Sequence, residues 1–189
     1  MKALEHISFP NMAERVSALY NEKEDALLLT MLGQEYVVRR GGISLHGQKA
    51  PEGHTAVIID YLFSDGTALT MTPWCTISDF SVSPMPDFRK KVELPVIQYA
   101  AEIITRANAL LPMFDAKEVP SLINSDMAIM VRALPKVYLR VELSQETQDF
   151  PAEVWILFSN NASDFLSVAS LQTMAEIFKD RLLSLLRIY

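Results

Sequence analysis

Residues 126–158 read DMAIMVRALPKVYLRVELSQETQDFPAEVWILF, and the fold turns on this stretch. Val137, Leu139, Val141 and Leu143 alternate with Tyr138, Arg140 and Glu142. A period of two sends the first set to one face of a strand and the second to the other. Residues 152–158 repeat the pattern: Ala152, Val154, Ile156 and Phe158 share one face, and Glu153, Trp155 and Leu157 share the other. Branched and aromatic side chains suit such a pleated, half-buried surface. The polar, acidic run 144–151 between them is closed by proline, which predicts a loop with antiparallel flanks. Ahead of both, Met127, Ile129, Val131 and Ala133 alternate more weakly up to Leu134-Pro135. Proline donates nothing to a ladder, so a strand boundary falls there. Three successive strands make a meander with one apolar face, and that face needs cover.

The C-terminal residues supply a cover. Leu171, Met174, Ala175, Phe178, Leu182, Leu185 and Leu186 recur at three- and four-residue spacings and form one helical stripe. Glu176, Lys179, Asp180, Arg181 and Arg187 fall largely on the other side. Ser167 or Ser170 suits the N-cap, and the late cations suit the negative end of the helix dipole. The stripe predicts a core-facing helix, with a partner-binding amphipathic helix as the alternative.

Upstream, Met12, Val16, Leu19 and Tyr20 predict a helix over 11–22, capped by Asn11. Residues 26–32 and 35–40 are β-prone runs joined at Gly33-Gln34, which predicts a hairpin. Residues 43–46 add a short third strand, and 48–53 read as a loop. Residues 55–63 fit a helix better than a buried strand. Residues 67–86 read as an irregular packed segment. Val92, Val96, Ala100, Ile103, Ile104 and Ala107 predict a second long helix over 88–111, with Pro95 near its start and Pro112 ending it. Residues 113–125 carry little periodic signal. The sum is an α+β chain of one domain, 1–189. It joins an early hairpin and a C-terminal three-strand antiparallel meander to packing helices. The absence of βαβ alternation argues against a parallel doubly wound sheet.

Composition narrows the function. Half of the 189 residues are hydrophobic, and the formal net charge is −6. An acidic balance disfavours sequence-independent nucleic-acid binding, which needs clustered Lys and Arg against phosphate. Arg89-Lys90-Lys91 is the best candidate for a local basic patch, and a solvated helix start explains it more cheaply. The lone cysteine, Cys75, leaves no internal disulfide and no cysteine-rich metal site, and it suits a reducing compartment. The N-terminal stretch lacks the apolar core of a signal peptide, and no run is long enough for a membrane span. These features predict a soluble, cytoplasmic protein without a membrane role.

Several of these pieces resemble a known pattern. LGQEYVV at 32–38 is similar to an early hairpin signature, and AVIIDYLFSDGTALT at 56–70 to an apolar run ending in a glycine turn. The Trp74 to Phe80 segment, Leu134-Pro135 through Val141, DFPAEV at 149–154 and ILF at 156–158 complete it. Together they resemble the bacterial and archaeal family called domain of unknown function 3786, over residues 26–186. The resemblance implies a setting in anaerobic metabolism. Some relatives carry an added four-cysteine iron–sulfur module of the kind seen in corrinoid proteins. Cys75 alone cannot supply one here. The loop Gln145-Glu146-Thr147-Gln148-Asp149 is less acidic than the family pattern, and the resemblance brings no catalytic residues.

The chemistry read from the residues is sparse. Of His6, His46 and His54, the last two flank a loop with Glu52 and suggest a shallow metal site or plain solvated histidines. Cys75 reads as an inert thiol unless a base lowers its pKa. No Gly-x-Ser-x-Gly turn or phosphate loop is present. Asp149 and Glu153 flank Phe150-Pro151-Ala152 and suit either turn capping or acid–base and metal chemistry. Arg140 and Glu153 are expected to pair across strands beside Tyr138 and Trp155, a combination typical of recognition surfaces. The leading expectation is a non-enzymatic module that binds a small molecule or a protein through Tyr138, Arg140, Asp149, Glu153 and Trp155. No catalytic residue, metal ligand or cofactor is assigned. An enzyme using Asp149 and Glu153, and a structural homodimer, are the alternatives.

Overall fold

The computed structural model describes residues 4–5, 7–67, 70–81 and 87–188. Its described residues form two antiparallel sheets and a set of helices that share one core with them, an α+β architecture. The first sheet runs in chain order: β1 (Leu19–Asn21), β2 (Ala26–Met31), β3 (Gln34–Arg39), β4 (Gly42–Leu45) and β5 (Gln48–Lys49). The second holds β6 (Ala116–Val119), β7 (Met127–Leu134), β8 (Val137–Ser144) and β9 (Glu153–Phe158). The expected hairpin is β2–β3, but its turn is Leu32-Gly33. Both residues sit at positive φ, 51° and 73°. A two-residue hairpin turn requires that twist. Leu32 tolerates it because its N–H donates to Ala133 O at 2.8 Å and its carbonyl accepts from Arg181.

Helix α1 (Phe9–Val16) corrects the expected helix over 11–22. It starts at Phe9-Pro10 and stops at Ser17, whose φ of 55° ends the helical turn. Leu19 and Tyr20 then pair with Leu28 and Leu27 as strand residues. Residues 55–63 are helical as expected, within α2 (Glu52–Phe63). The second long helix is broken. A π-helical turn, Arg89–Glu93, leads into α3 (Leu94–Ile97), α4 (Ala100–Thr105) and α5 (Ala107–Leu110). Pro95 has no N–H to bond back one turn, so the regular ladder cannot run through it. Within the irregular stretch 67–86, a 3₁₀ turn spans Ile77–Phe80, and residues 68–69 and 82–86 lie outside the described residues. The meander has four strands rather than three, because β6 forms in the stretch that carried no clear period. A short helix, α6 (Ala162–Phe165), precedes the long α7 (Val168–Ile188).

The alternation in β8 places Val137, Leu139, Val141 and Leu143 in the core, none more than 1% exposed. They join one contiguous cluster with Leu171, Met174, Phe178 and Leu182 of α7 and with the apolar side of the first sheet. Ser167 caps α7, its Oγ accepting from Ser170 N at 3.3 Å. Asp60 of α2 accepts from the N–H and Oγ of Ser167, which ties α2 to the start of α7. No helix among the described residues is long and apolar enough to cross a membrane.

Candidate binding cleft

Strand β9 is an edge strand, so it has backbone groups with no sheet partner on one side. Two devices cover them. Cys75 pairs with Phe158, with N···O distances of 2.9 and 2.8 Å. Glu93 reaches in from the π-helical turn, and its Oε1 accepts the N–H of Ile156 at 3.0 Å. Single-turn π segments inside helices frequently mark functional sites. Here the wider turn brings both Arg89 and Glu93 to β9.

Arg89 organises the mouth of the cleft beside this edge. Its Nη2 donates to Glu153 Oε2 at 2.7 Å, and its Nη1 lies 3.5 Å from Glu93 Oε2. The guanidinium sits over the Trp155 ring, 5.4 Å from the centroid. Phe88, Ile77 and Ile156 give apolar lining, Thr76 and Ser78 add hydroxyls, and the cavity is about 350 Å³. Asp79 fixes the far wall: its Oδ2 accepts from Thr76 N at 2.6 Å and Thr76 Oγ1 at 2.8 Å. Burial pushes the Glu93 carboxyl up, against the lowering effect of the Ile156 N–H and Arg89, and nearby Glu153 adds to the rise. The hydrogen bond to Glu153 holds Arg89 more firmly protonated. The cleft thus joins an aromatic face, a fixed cation, a half-buried carboxylate and a buried carboxyl reluctant to ionise.

The structure divides the five residues expected to form one surface. Glu153 and Trp155 line or flank the cleft. Arg140 does not pair with Glu153. It stands opposite Leu157, whereas Glu153 stands opposite Ser144. Arg140 Nε instead donates to Glu142 Oε1 at 2.6 Å, its Nη2 donates to Pro120 O, and it lies 5.8 Å from the Trp74 ring centroid. Both members of the Arg140–Glu142 pair are buried, at 6% and 0% side-chain exposure. Glu142 also accepts from Ser121 Oγ, Ser125 Oγ and Leu122 N. Burial alone would raise the Glu142 carboxyl, but these bonds and Arg140 overcome it and hold it below the usual range. The pair anchors the loop before β7, and both its members are engaged in that structural contact. Tyr138 is half-buried over a separate depression with Lys117, Met130 and Arg132. Asp149 is exposed in the β8–β9 loop and shares no bond with Glu153. The turn-capping acid there is Asp126, whose Oδ2 accepts from Gln145 N at 2.7 Å.

His46 and His54 have separate partners. His46 lies 3.3 Å from Gln34 Nε2. His54 Nδ1 lies 2.7 Å from the hydroxyl of buried Tyr36. Burial pushes Tyr36 up to about 12 and lowers His54, which favours a neutral hydroxyl beside a neutral imidazole. His6 lies outside the described residues. No group of three or more His, Cys, Asp or Glu stands together as metal ligands among the described residues. The Cys75 thiol is pushed up by burial and by Asp79, the opposite of nucleophile activation. Arg89 stands in the basic run read above as a solvated helix start, whereas it is engaged by Glu153, Glu93 and Trp155. Glu93 is not among the residues named from the sequence. A signal existed for Glu93: it sits three residues before Val96 and seven before Ala100, on the apolar face of its helical pattern.

A family model described as domain of unknown function (DUF3786) matches residues 8–181, a span that contains the whole cleft. No curated protein and no solved structure shows a significant match to the chain.

Proposed function

We propose that this chain, which belongs to the family described as domain of unknown function (DUF3786), is a non-enzymatic accessory module that binds a small molecule in the cleft beside β9. One observation carries the reading: Arg89, stacked on Trp155 and paired with Glu153, stands at the mouth of a cleft whose buried polar group is Glu93. Small-ligand sites are concave, largely apolar, about 300–1,000 Å³ in volume, and hold a few fixed polar groups. The cavity of about 350 Å³ falls at the small end of that range. Glu153 already pairs with the Arg89 guanidinium, so the cleft offers no free positive charge to an anionic ligand. A flat neutral or cationic molecule, stacked near Trp155 and hydrogen-bonded by Glu153 or Glu93, fits the charge and shape. The resemblance suggests a setting in anaerobic metabolism beside corrinoid or iron–sulfur proteins, and the lone thiol Cys75 suits a reducing cytoplasm.

Native mass spectrometry of protein purified without oxygen tests the reading. The expected result is a stoichiometric extra mass in the native chain that is lost in Trp155→Ala and in Arg89→Gln. An extra mass retained in both variants would place the ligand elsewhere.

A catalytic reading has one observation in its favour: Glu93 is pushed toward its neutral form beside Glu153, an arrangement that separates an acid from a base. It moves the acid–base pair from Asp149 and Glu153 to Glu93 and Glu153. Turnover of any bound molecule that survives Glu93→Gln/Glu153→Gln would remove it.

A further inference from the structure

Eight large hydrophobic side chains are exposed among the described residues, and four of them lie at one end of the second sheet. Leu122 is 59% exposed, Ile123 53%, Phe150 74% and Trp155 42%. The register puts them there. Met127 pairs with Leu143 and Ser144 with Glu153, so the loops before β7 and between β8 and β9 leave the sheet at the same end. The two loops are tied together by the bond from Gln145 N to Asp126. Leu122 N bonds Glu142, and Trp155 stands directly across from Glu142 on β9.

This surface is built rather than frayed. The Arg140–Glu142 pair and its serine partners fix the first loop. In the second, Thr147 N donates to Phe150 O at 2.9 Å and Phe150 N donates to Thr147 Oγ1 at 3.1 Å. A hydrogen-bonded turn therefore holds the most exposed aromatic of the group outward. Apolar side chains displayed together in this way mark interaction sites.

Charge selects the occupant. Residues 118–126 and 144–155 contain Glu118, Asp126, Glu146, Asp149 and Glu153, and no Lys, Arg or His. Of these acids only Glu153 has a cationic partner among the described residues. A second copy would set this acidic rim against itself, and an anionic lipid surface would be repelled by it. We infer that this end of the second sheet docks a protein segment whose apolar side chains are flanked by lysines or arginines. The surface lies beyond the cleft reading: it shares Trp155 with the cleft, but Leu122, Ile123 and Phe150 are not cleft residues.

The test uses the full chain and three labelled amphipathic peptides, each about four helical turns long. They share one Leu/Phe face and differ in flanking residues: all Lys, all Gln or all Glu. Fluorescence polarisation is expected to show the Lys peptide binding about tenfold or more tighter than the Gln peptide. The Glu peptide should fail to bind, and added salt should erode the preference. Phe150→Ser/Ile123→Ser should weaken the Lys peptide by about tenfold, and Glu146→Gln/Asp149→Asn should level the Lys and Gln peptides. Phe150→Ser/Ile123→Ser, whose residues do not line the cleft, should leave any small-molecule mass bound to the native chain unchanged, so a failure of one reading is distinguishable from a failure of the other. The inference is overturned if the Lys peptide does not bind, if all three bind equally, or if Phe150→Ser/Ile123→Ser changes nothing. It is also overturned if that double variant instead converts a dimer to a monomer or abolishes capture by vesicles of anionic lipid.

Discussion

The Glu93 carboxylate accepts the backbone N–H of Ile156, 63 positions along the chain, at 3.0 Å. A side chain on a π-helical turn thus takes a place that a neighbouring strand would fill. Edge strands need such cover, because open backbone groups invite pairing with other chains. The same carboxyl is reached by Arg89, so the device that closes the sheet also sets the polar character of the cleft.

Glu93→Ala removes that acceptor and leaves the Ile156 N–H without its partner. The loss should be about 1–3 kcal/mol, the cost of an unsatisfied buried group. Glu93→Gln retains an acceptor oxygen and should stay closer to the native chain. Urea midpoints of the two variants at neutral pH check the difference.

The Glu93 carboxyl, raised from an ordinary value of 4.5, gives pH dependence a definite sign. The folded state holds that proton more tightly than the unfolded chain does. Its contribution is full below the ordinary value and is lost as pH climbs through the raised folded value. Relative to the native chain, Glu93→Gln should therefore gain stability as pH rises through that window. A stability difference between the two proteins that stays constant with pH would contradict the assignment.

Glu142 runs the other way. Its carboxyl is held below 4.5, so its contribution is present above that value and is lost as pH falls through the lowered one. Thermal unfolding of Glu142→Gln should show a flatter acid limb than the native chain. The two melting temperatures should draw together at low pH.

Arg140→Ala leaves Glu142 buried without its guanidinium. Breaking one side of a buried ion pair costs about 3–5 kcal/mol. Arg140→Met/Glu142→Leu removes both charges and should cost less than Arg140→Ala alone. Denaturant unfolding of the two proteins decides between this structural role and a role in ligand contact.

Gly33 has φ of +73°, and a Cβ there would come within 2.8 Å of Phe114 Cα. Gly33→Ala should cost about 2 kcal/mol or more, from left-handed strain and the backbone clash together. Gly41→Ala meets nothing within 4 Å and serves as the control. It should stay within about 0.5 kcal/mol of the native chain.

Local period carried most of the architecture. The alternation in β8 and β9, the stripe of α7 and the β2–β3 hairpin all repeat over several residues, and each repeat adds to the signal. Where the signal was short, tertiary context decided. Leu19 and Tyr20 continue a helical spacing on paper, but Ser17 turns the chain and β2 captures them. β6 has four residues, too few to show a period, and exists because β7 presents an edge to pair with. The candidate site was half legible. Glu153 and Trp155 could be named from the face they share, but their partners could not.

The sequence by itself determined which side chains face together along each strand and helix, because that follows from backbone geometry within one element. It also determined the charge balance and the family pattern. Only the tertiary structure decided that Arg140 turns to Glu142, that Arg89 takes Glu153, and that Glu93 closes β9. Those choices depend on register and on the packing of a broken helix against an edge strand. They join residues up to 64 positions apart, beyond the reach of any local repeat.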